Sequence, residues 1–251
     1  MPGRAVLVTG GSRGIGRAVA AAFASNGDRV AIHHRDSAAR AEDLMAGLPG
    51  GPHAVVQADL ADPDAIARMV GHAAGQLGGI DVLVNNAGVF SPHPITEMDY
   101  AGWQAAWRDT LAVNLVGAAN VTFCALPHLR TATGGGRIVN VSSRGAFRGE
   151  PRQPAYGASK AGLNALGQSL AVALAPLGIS VTTVAPGFVE TDMTNEHLKP
   201  PRGDEIRAQS PFGRVARPDE VAAAVLWLAS PEAEWASGAV LDLNGGSYLR
   251  T

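Results

Sequence analysis

Seven short runs rich in valine, isoleucine and leucine recur along the chain, and longer alanine-rich segments with helical periodicity separate them. The predicted strands are 5–10, 29–34, 54–59, 80–86, 136–143, 179–186 and 239–245, and the predicted helices are 14–26, 37–47, 63–78, 104–130, 154–176 and 217–229. Strands that alternate with helices form parallel sheets covered by helices on both faces. The pattern therefore predicts a doubly wound α/β fold around a seven-stranded parallel sheet.

The length of 251 residues suits one large α/β domain, and no repeat or linker divides the chain, so we expect a single domain over 1–251. The formal net charge of -2 offers no basic excess for nucleic acid or for an anionic membrane. No apolar run approaches membrane-spanning length, and the apolar stretch near Met1 is too short for a signal peptide. We expect a cytoplasmic protein that acts on a small molecule, with neither nucleic acid nor membrane as partner.

A glycine-rich loop, TGGSRGIG at 9–16, follows the first predicted strand and opens the first predicted helix. Glycines permit a tight turn there and let a phosphate approach the backbone N–H groups at the positive end of the helix. The bare glycine pattern is weak, because glycine-rich turns commonly just connect a strand to a helix. The strand before it and the helix after it favour a dinucleotide site.

The stretch YGASK, residues 156–160, places a phenol and a primary amine four positions apart with only small residues between them. On a helix this spacing puts Tyr156 and Lys160 on the same face. Such pairs arise often by chance, so the spacing alone does not distinguish a catalytic pair from two surface side chains.

Further motifs follow in a fixed order: Asp59-Leu60 after the third strand, NNAG at 85–88, Asn114 in LAVNLVG, Ser143 thirteen residues before Tyr156, and PGFVET at 186–191. With these motifs in place, the chain closely resembles the short-chain dehydrogenase/reductase superfamily over nearly its whole length. The resemblance implies one Rossmann-type domain and an enzyme that transfers a hydride between a nicotinamide cofactor and a carbonyl or secondary alcohol.

The resemblance also implies the roles of individual residues. Tyr156 would be the proton donor, Lys160 would hold the nicotinamide ribose, Ser143 would bind the substrate oxygen, and Asn114 would anchor a water in a proton relay. A free phenol has a pKa of about 10, and the Lys160 charge would favour the phenolate. The implied cofactor-binding residues are Gly10, Ser12, Arg13, Gly14, Ile15, Gly16, His34, Arg35, Asp59, Leu60, Asn86, Ala87, Gly88, Tyr156, Lys160, Pro186, Gly187, Val189 and Thr191.

Several of these residues also have a structural interpretation. Asp59 could cap a turn, and Asn86 and Asn114 could be buried structural amides. His33 and His34 are adjacent on a predicted strand and would point to opposite faces, with no acidic or histidine cluster to join them. We therefore expect no metal site.

The choice of cofactor depends on the end of the second strand. Relatives that prefer NAD usually place an Asp there, and its carboxylate would repel a 2′-phosphate. In VAIHHRDS the matching position is His34, followed by Arg35, and Arg13 of the glycine-rich loop is a second cation. The two arginines would bracket the phosphate, so we expect NADP(H) to be preferred over NAD(H). Asp36 would be the acidic residue if the register differed by two.

The substrate is less well defined by the sequence. The nearest resemblance is to 3-oxoacyl-carrier-protein reductases, but the chain has Gly134 and Leu177 where those enzymes usually carry basic residues. We therefore prefer a carbonyl reductase of unassigned substrate, with the carrier-protein reductase as the alternative. A non-catalytic dinucleotide sensor is a third reading, and the intact set of catalytic residues argues against it. The polar segment 191–211, interrupted by two prolines, is a candidate substrate lid.

The helix that contains YGASK carries a face of small side chains, formed by Ala158, Ala161, Gly162, Ala165 and Ser169. Small residues permit close approach of another helix, either within the chain or from a second subunit. In relatives this helix pairs across a subunit interface, so we expect a homo-oligomer, most simply a homotetramer.

Overall fold

The computed structural model describes residues 3–250, and it contains the predicted seven-stranded sheet. The strands are β1 Ala5–Val8, β2 Arg29–His34, β3 Ala54–Gln57, β4 Val82–Asn85, β5 Arg137–Val141, β6 Ser180–Pro186 and β7 Val240–Leu243. They lie in the order β3-β2-β1-β4-β5-β6-β7, and every neighbouring pair is parallel. The order reverses between β1 and β4, and ligands of doubly wound folds bind at the carboxyl ends of the strands beside such a reversal.

The helices are α1 Gly14–Ser25, α2 Ala38–Gly47, α3 Pro63–Leu77, α4 Tyr100–Leu111, α5 Ala118–Leu129, α6 Gly145–Arg148, α7 Pro154–Leu174, α8 Arg202–Ala208 and α9 Pro218–Leu228. The start of α3 follows from its sequence, because the Asp62 side chain accepts hydrogen bonds from the N–H groups of Asp64 and Ala65 and Pro63 occupies the first turn. Gly78 then ends the helix in the left-handed conformation.

Successive residues of a strand face opposite sides of the sheet, and this alternation divides the core into two layers. Leu7 of β1 packs in the layer covered by α3, α5 and α7, whereas Val6 and Val8 pack in the layer covered by α1, α2 and α9. The central strands are buried on both faces, which explains why they are continuous apolar runs rather than alternating ones.

The predicted helix 104–130 differs from the structure in two ways. Helical structure already begins at Tyr100, where the Asp99 side chain accepts a hydrogen bond from the Gly102 N–H. A six-residue π-helix, Ala112–Gly117, then separates α4 from α5. Each π-turn holds more residues than an α-turn, and such segments occur frequently at functional sites.

The stretch Tyr100–Leu129 is also the one helical stretch of residues 3–250 that is long and apolar enough to span a bilayer by length and composition. Polar residues interrupt it, so it contains no unbroken apolar run. It packs against α3 and α7, as a core helix of an α/β domain does.

The segment 191–211 is an excursion between β6 and α9, as expected. It contains a short 3₁₀-helix, Asn195–Leu198, and α8. Its first residues, Thr191, Asp192 and Met193, reach the carboxyl edge of the sheet and line a cleft there.

Candidate active site

A cleft runs along the carboxyl ends of β1, β2, β3 and β4. Most of the predicted cofactor-binding residues line it, namely Gly10, Ser12, Arg13, Gly14, Ile15, Gly16, His34, Arg35, Asp59, Leu60, Asn86, Ala87, Gly88, Tyr156, Lys160 and Thr191. The fold therefore brings residues from six separate segments of the chain to one cleft.

The glycine-rich loop forms one end of the cleft, and its shape requires the glycines. Gly10 and Gly14 have φ values of 63° and 53°, a region that favours glycine. A Cβ atom on Gly16 would lie 2.1 Å from the Gly10 carbonyl oxygen and 2.5 Å from the Asn86 side-chain nitrogen. No side chain of the described residues caps the start of α1. The first turn of this helix can therefore offer its N–H groups to a phosphate, so the residues present fit a dinucleotide.

Two buried side chains hold this loop in place. The Asn86 Nδ2 group donates to the carbonyl oxygens of Thr9 and Gly10, at 2.9 and 3.1 Å. The His33 Nδ1 atom accepts from the Gly10 N–H at 2.9 Å, and its Nε2 atom lies 3.1 Å from the Ala58 carbonyl oxygen. Burial lowers the pKa of His33 to about 4, so the neutral ring bridges the loops after β1 and β3. From the sequence, His33 was considered only as a metal ligand, and this role was missed.

Charged and polar groups meet at the far end of the cleft, beyond β2. Arg35 forms an ion pair with Asp36, with 2.9 Å between Nη2 and Oδ2, and both residues line the cleft. Arg13 lies close enough to contribute to the lowered pKa of Asp36, although Arg35 is the main cause. Asp59 lines the cleft as well, and its Oδ1 atom accepts a hydrogen bond from the Ala61 N–H. The turn role and the cleft position of Asp59 are thus compatible.

A smaller cavity adjoins the cleft, and Tyr156 lies in the walls of both. We call it the Ser143 cavity. It is lined by Phe90, Ser143, Arg144, Glu150, Tyr156, Gly187, Phe188, Met193 and Thr194. The Phe90 ring meets the Tyr156 ring edge-on at 4.7 Å between centroids. The Tyr156 phenol can therefore contact both a molecule bound in the cleft and a molecule bound in the cavity.

Lys160 is buried beneath the phenol. Its Nζ atom donates to the Val141 carbonyl oxygen at 2.8 Å and lies 5.8 Å from the centre of the Tyr156 ring. Burial lowers the pKa of Lys160 to about 8. Both residues stand on α7, as the four-residue spacing predicted, and both line the same cleft.

The pKa of Tyr156 moves in the direction opposite to the one expected from the sequence. Burial raises it to about 12, a hydrogen bond with Ser143 lowers it in part, and the charge of Glu150 raises it further. Burial outweighs the favourable contacts because it removes water from the phenolate. The protein groups alone therefore keep the phenol protonated at neutral pH.

Asn114 lies in the π-helix, and hydrogen bonds fix its side chain. Its Oδ1 atom accepts from the Val89 N–H at 2.8 Å, and its Nδ2 group donates to the Ser159 hydroxyl at 3.1 Å. Ser159 in turn donates to the Tyr156 carbonyl oxygen at 2.7 Å. A Cβ atom on Gly88 would lie 3.3 Å from Asn114 Oδ1 and 3.6 Å from Lys160 Nζ. The NNAG motif, the π-helix and α7 therefore meet at one point.

Three predicted residues of the PGFVET motif are absent from the wall of the cleft. Gly187 lines the adjoining cavity instead. The Pro186 carbonyl oxygen accepts the Arg144 N–H at 2.7 Å, and the buried Val189 accepts the Thr194 hydroxyl through its carbonyl. Thr191 of the same motif does line the cleft. Pro186 and Val189 thus position the chain around the site.

Five residues that form much of the cavity were not predicted from the sequence, namely Phe90, Arg144, Glu150, Phe188 and Met193. They come from three segments that are distant in sequence, the ones that follow β4, β5 and β6. The position of Arg144 directly after Ser143 was the one local signal.

Comparisons with known proteins agree on the family. Residues 10–248 match the family model described as enoyl-(acyl carrier protein) reductase. The chain is 39% identical over 246 residues to the cis-4-hydroxycyclohexanecarboxylate dehydrogenase of Sinomonas cyclohexanicum, with 97% of this chain and 96% of the relative covered. It is 36% identical over 248 residues to the 3-oxoacyl-(acyl-carrier-protein) reductase FabG of Staphylococcus aureus, with 98% of each covered.

Solved structures give the same answer. A short chain dehydrogenase from Burkholderia cenocepacia in complex with NADP superposes with a TM-score of 0.87 at 36% identity, with 97% of each chain covered. A glucose/ribitol dehydrogenase from Brucella melitensis gives a TM-score of 0.90 at 34% identity, with 98% of this chain and 97% of the other covered.

The fold and these matches define an oxidoreductase of the kind that uses a nicotinamide dinucleotide. The chain belongs to the short-chain dehydrogenase/reductase superfamily, and within it resembles the 3-oxoacyl-(acyl-carrier-protein) reductases.

Proposed function

We propose that this protein is an NADP(H)-dependent oxidoreductase that transfers a hydride between the nicotinamide and a carbonyl or secondary alcohol substrate. The observation that carries the proposal is the position of Tyr156 in the walls of both the dinucleotide cleft and the Ser143 cavity. A proton donor at that boundary can reach a substrate oxygen beside a bound nicotinamide.

When bound, the reduced cofactor supplies the hydride. Ser143 holds the carbonyl oxygen by a hydrogen bond, and the Tyr156 hydroxyl gives its proton to that oxygen as the hydride adds to the carbonyl carbon. The products are the alcohol and NADP⁺. In the reverse direction the Tyr156 phenolate takes the proton from the alcohol. Lys160 would favour the phenolate through its charge and hold the nicotinamide ribose, and Asn114 would anchor a water in a proton relay.

The high pKa of Tyr156 suits the reductive direction. A phenol with a pKa of about 12 is protonated at pH 7 and available as an acid. The opposite direction needs the phenolate, and positive charge close to the ring favours it. Lys160, with a pKa of about 8, is mostly protonated at neutral pH and supplies such a charge.

The preference for NADP(H) rests on Arg13 and Arg35. Both line the cleft beyond β2, and the B. cenocepacia relative was crystallised with NADP. Asp36 opposes the preference, since its carboxylate pairs with Arg35 in the same part of the cleft. Arg35 and Asp36 are both exposed, so their ion pair is weak and Arg35 can exchange it for a phosphate.

The test compares kcat/KM for NADPH and NADH in the wild type and in Arg13→Ala/Arg35→Ala. We expect NADPH to be preferred, and the double variant to lose most of that preference, since each hydrogen bond to a charged group contributes about 1.5–3 kcal/mol. A wild type that prefers NADH, or an unchanged ratio in the double variant, would refute the arginine assignment.

The substrate class follows less directly. The relatives named above act on a hydroxycyclohexanecarboxylate and on 3-oxoacyl groups of a carrier protein. We keep a carbonyl reductase as the main assignment and the 3-oxoacyl-(acyl-carrier-protein) reductase as the alternative. NADPH oxidation with cyclic ketones, sugars, steroids and 3-oxoacyl thioesters distinguishes them by the substrate with the highest kcat/KM.

A non-catalytic sensor of the dinucleotide is the candidate from another class. It would bind NADPH without oxidising it in the presence of any carbonyl compound of this panel. The convergence of Ser143, Tyr156 and Lys160 around the cleft and its cavity favours the enzyme.

We further infer a homo-oligomer, most simply a tetramer. Of the small residues on α7, Ala158, Ala161, Ala165 and Ser169 are exposed, whereas Gly162 packs on Leu115 within the chain. The apolar side chains of Phe123 on α5 and Val172 on α7 are 77% and 80% exposed. Exposed apolar groups beside a smooth helix face are typical of a subunit interface. Sedimentation that shows only monomer at micromolar concentration would refute this inference.

The cytoplasmic location, the extent of the domain over 1–251 and the lid at 191–211 stay predictions. The lid assignment is supported by Thr191 and Met193, which lie at its start and in the walls of the site.

A further inference from the structure

Arg144 follows Ser143 directly and is buried, with 5% of its surface exposed. Its Nη1 atom donates to the Ser247 hydroxyl at 2.7 Å, and its guanidinium stacks on the Phe188 ring at 5.4 Å from the ring centre. Its backbone N–H donates to the Pro186 carbonyl oxygen at 2.7 Å. The side chain is therefore held in one position by a neutral hydroxyl and an aromatic face.

The guanidinium makes no ion pair in direct contact, although the Glu150 carboxyl group lines the same cavity. Among residues 3–250 no carboxylate oxygen lies within 4.0 Å of it. Burial and the neighbouring Arg148 lower the pKa of Arg144 and the charge of Glu150 raises it in part, but an arginine stays protonated in proteins. A buried charge without a partner in contact is costly, and buried charges in proteins are normally paired. A partner from outside the described chain would remove this cost.

Arg214 provides an internal comparison. Arg144 and Phe188 separate the Ser143 cavity from a second cavity, which Arg214, Ser210, Asn244 and Ser247 also line. Arg214 already holds both carboxylate oxygens of Glu220, at 2.8 and 2.7 Å. Of these two arginines in the wall, the exposed one is paired and the buried one is not.

We propose that Arg144 is the receptor for a carboxylate on the substrate, so that the preferred substrates are keto acids and the corresponding hydroxy acids. This rests on the proposed function, because it assigns the reacting carbonyl to Ser143 and Tyr156. The carboxylate end would lie along the wall that Arg144 shares between the two cavities. A planar guanidinium can bind both oxygens of a carboxylate, which gives specificity as well as affinity.

Glu150 modulates this receptor. Its carboxyl group lies against Gly145, where an added Cβ would be 2.7 Å from Oε1, and it lines the same cavity. Burial raises the pKa of Glu150, while Arg144, Arg148 and Arg202 lower it. Its negative charge opposes an incoming anion, so Glu150→Gln should increase the preference for carboxylates.

The test uses two ketones of matched shape, 4-oxocyclohexanecarboxylate and 4-oxocyclohexanecarboxamide, with NADPH. We expect the wild type to favour the carboxylate in kcat/KM by about 10- to 100-fold, the range for hydrogen bonds to a charged group. Arg144→Met should bring the ratio close to one, and Arg144→Lys should restore part of it. Arg68→Met is the control, since Arg68 is exposed on α3 and lines neither cavity, and it should keep the wild-type ratio.

A structural role for Arg144 predicts a different result. Arg144→Met would then lower kcat/KM for both ketones equally, and Ser247→Ala would do the same by removing the anchor. Either that outcome, or a wild type that does not discriminate between the two ketones, overturns the proposal.

Binding of an unreactive compound keeps this test separate from the proposed function. Calorimetry should show that the wild type with NADP⁺ binds cyclohexanecarboxylate more tightly than cyclohexanecarboxamide, and that Arg144→Met loses the difference. If no ketone is reduced but the wild type still binds the carboxylate more tightly than the carboxamide, the proposed reaction is wrong and the role of Arg144 as a carboxylate receptor is supported. If ketones are reduced and the difference is absent, the receptor fails alone.

Discussion

The glycine-rich end of the dinucleotide cleft is built from backbone, whereas the adjoining Ser143 cavity is built from side chains. In the cleft, glycines with special φ values and the buried braces His33 and Asn86 define the shape. In the cavity, Phe90, Arg144 and Glu150 come from separate loops. Few sequences can form the glycine-rich loop, so the loop has a recognisable motif. Side chains on loops can change without disturbing the fold, so the cavity has none.

The difference should appear most strongly in Tyr156→Phe, because Tyr156 belongs to both regions but donates its proton only in the cavity. We expect kcat to fall about 10²- to 10⁴-fold, the usual contribution of general acid–base catalysis. The Kd for NADPH should remain close to that of the wild type. Pre-steady-state hydride transfer and fluorescence titration measure the two quantities. Turnover close to wild type would contradict the mechanism.

Gly16→Ala tests the backbone region. The added Cβ would lie 2.1 Å from the Gly10 carbonyl oxygen, so the loop must shift. Overpacking costs typically 1–3 kcal/mol, and we expect roughly 5- to 150-fold weaker NADPH binding. Gly75→Ala is the control, because a Cβ there meets nothing within 4 Å on the exposed face of α3. If both variants bind NADPH with the affinity of the wild type, the glycine-rich loop is not rigid.

Glu150→Gln tests the side-chain region through pH. The Glu150 charge raises the pKa of Tyr156, so its removal should lower that pKa. Alcohol oxidation needs the phenolate and increases as pH rises through the Tyr156 pKa, so the alkaline limb of its rate should move to lower pH. Profiles of kcat/KM against pH, measured with NADP⁺ and a neutral alcohol, report this shift. A shift to higher pH would contradict the assigned electrostatics.

The smallest effect on cofactor binding is expected for an exposed ion pair at the rim of the cleft. Arg40 of α2 forms an exposed ion pair with Asp192, which lines the cleft, at 2.6 Å. Exposed pairs contribute about 0.2–1 kcal/mol, so Arg40→Ala should accelerate NADPH release by no more than about 5-fold. Arg108→Ala, which removes the exposed pair with Asp109, should leave release unchanged. Stopped-flow displacement measures both rates. A much larger acceleration in Arg40→Ala would mean that the Arg40–Asp192 pair controls NADPH release.

The fold was largely predictable because the central strands of its sheet are fully buried. Buried parallel strands are short apolar runs, and all seven were found, with β2 matching at both ends. The helices α6 and α8 were missed, since helices of four and seven residues have too few turns to show periodicity.

The candidate site was predictable where a motif is continuous in sequence. The loop after β1 and the Tyr156–Lys160 pair each lie within a single turn or helix, so each motif could be read from its spacing, and the family resemblance indicated that they share one site. The rise in the pKa of Tyr156 in the protein alone was not foreseen, because it depends on burial and on Glu150, which sequence does not reveal. Arg144 was missed for a related reason: its burial and its lack of an ion pair in direct contact exist only in the folded chain.

The π-helix Ala112–Gly117 has a consequence for how this chain can change in length. An α-helix turns 100° per residue, so deletion of one residue there would rotate everything after it relative to α4. Asn114 would leave its bonds to Val89 and Ser159, or α5 would lose its packing on α3. The number of residues between α4 and α5 is therefore as tightly constrained as the identity of Asn114, and we expect insertions and deletions to be tolerated in the surface loops but not in this helix.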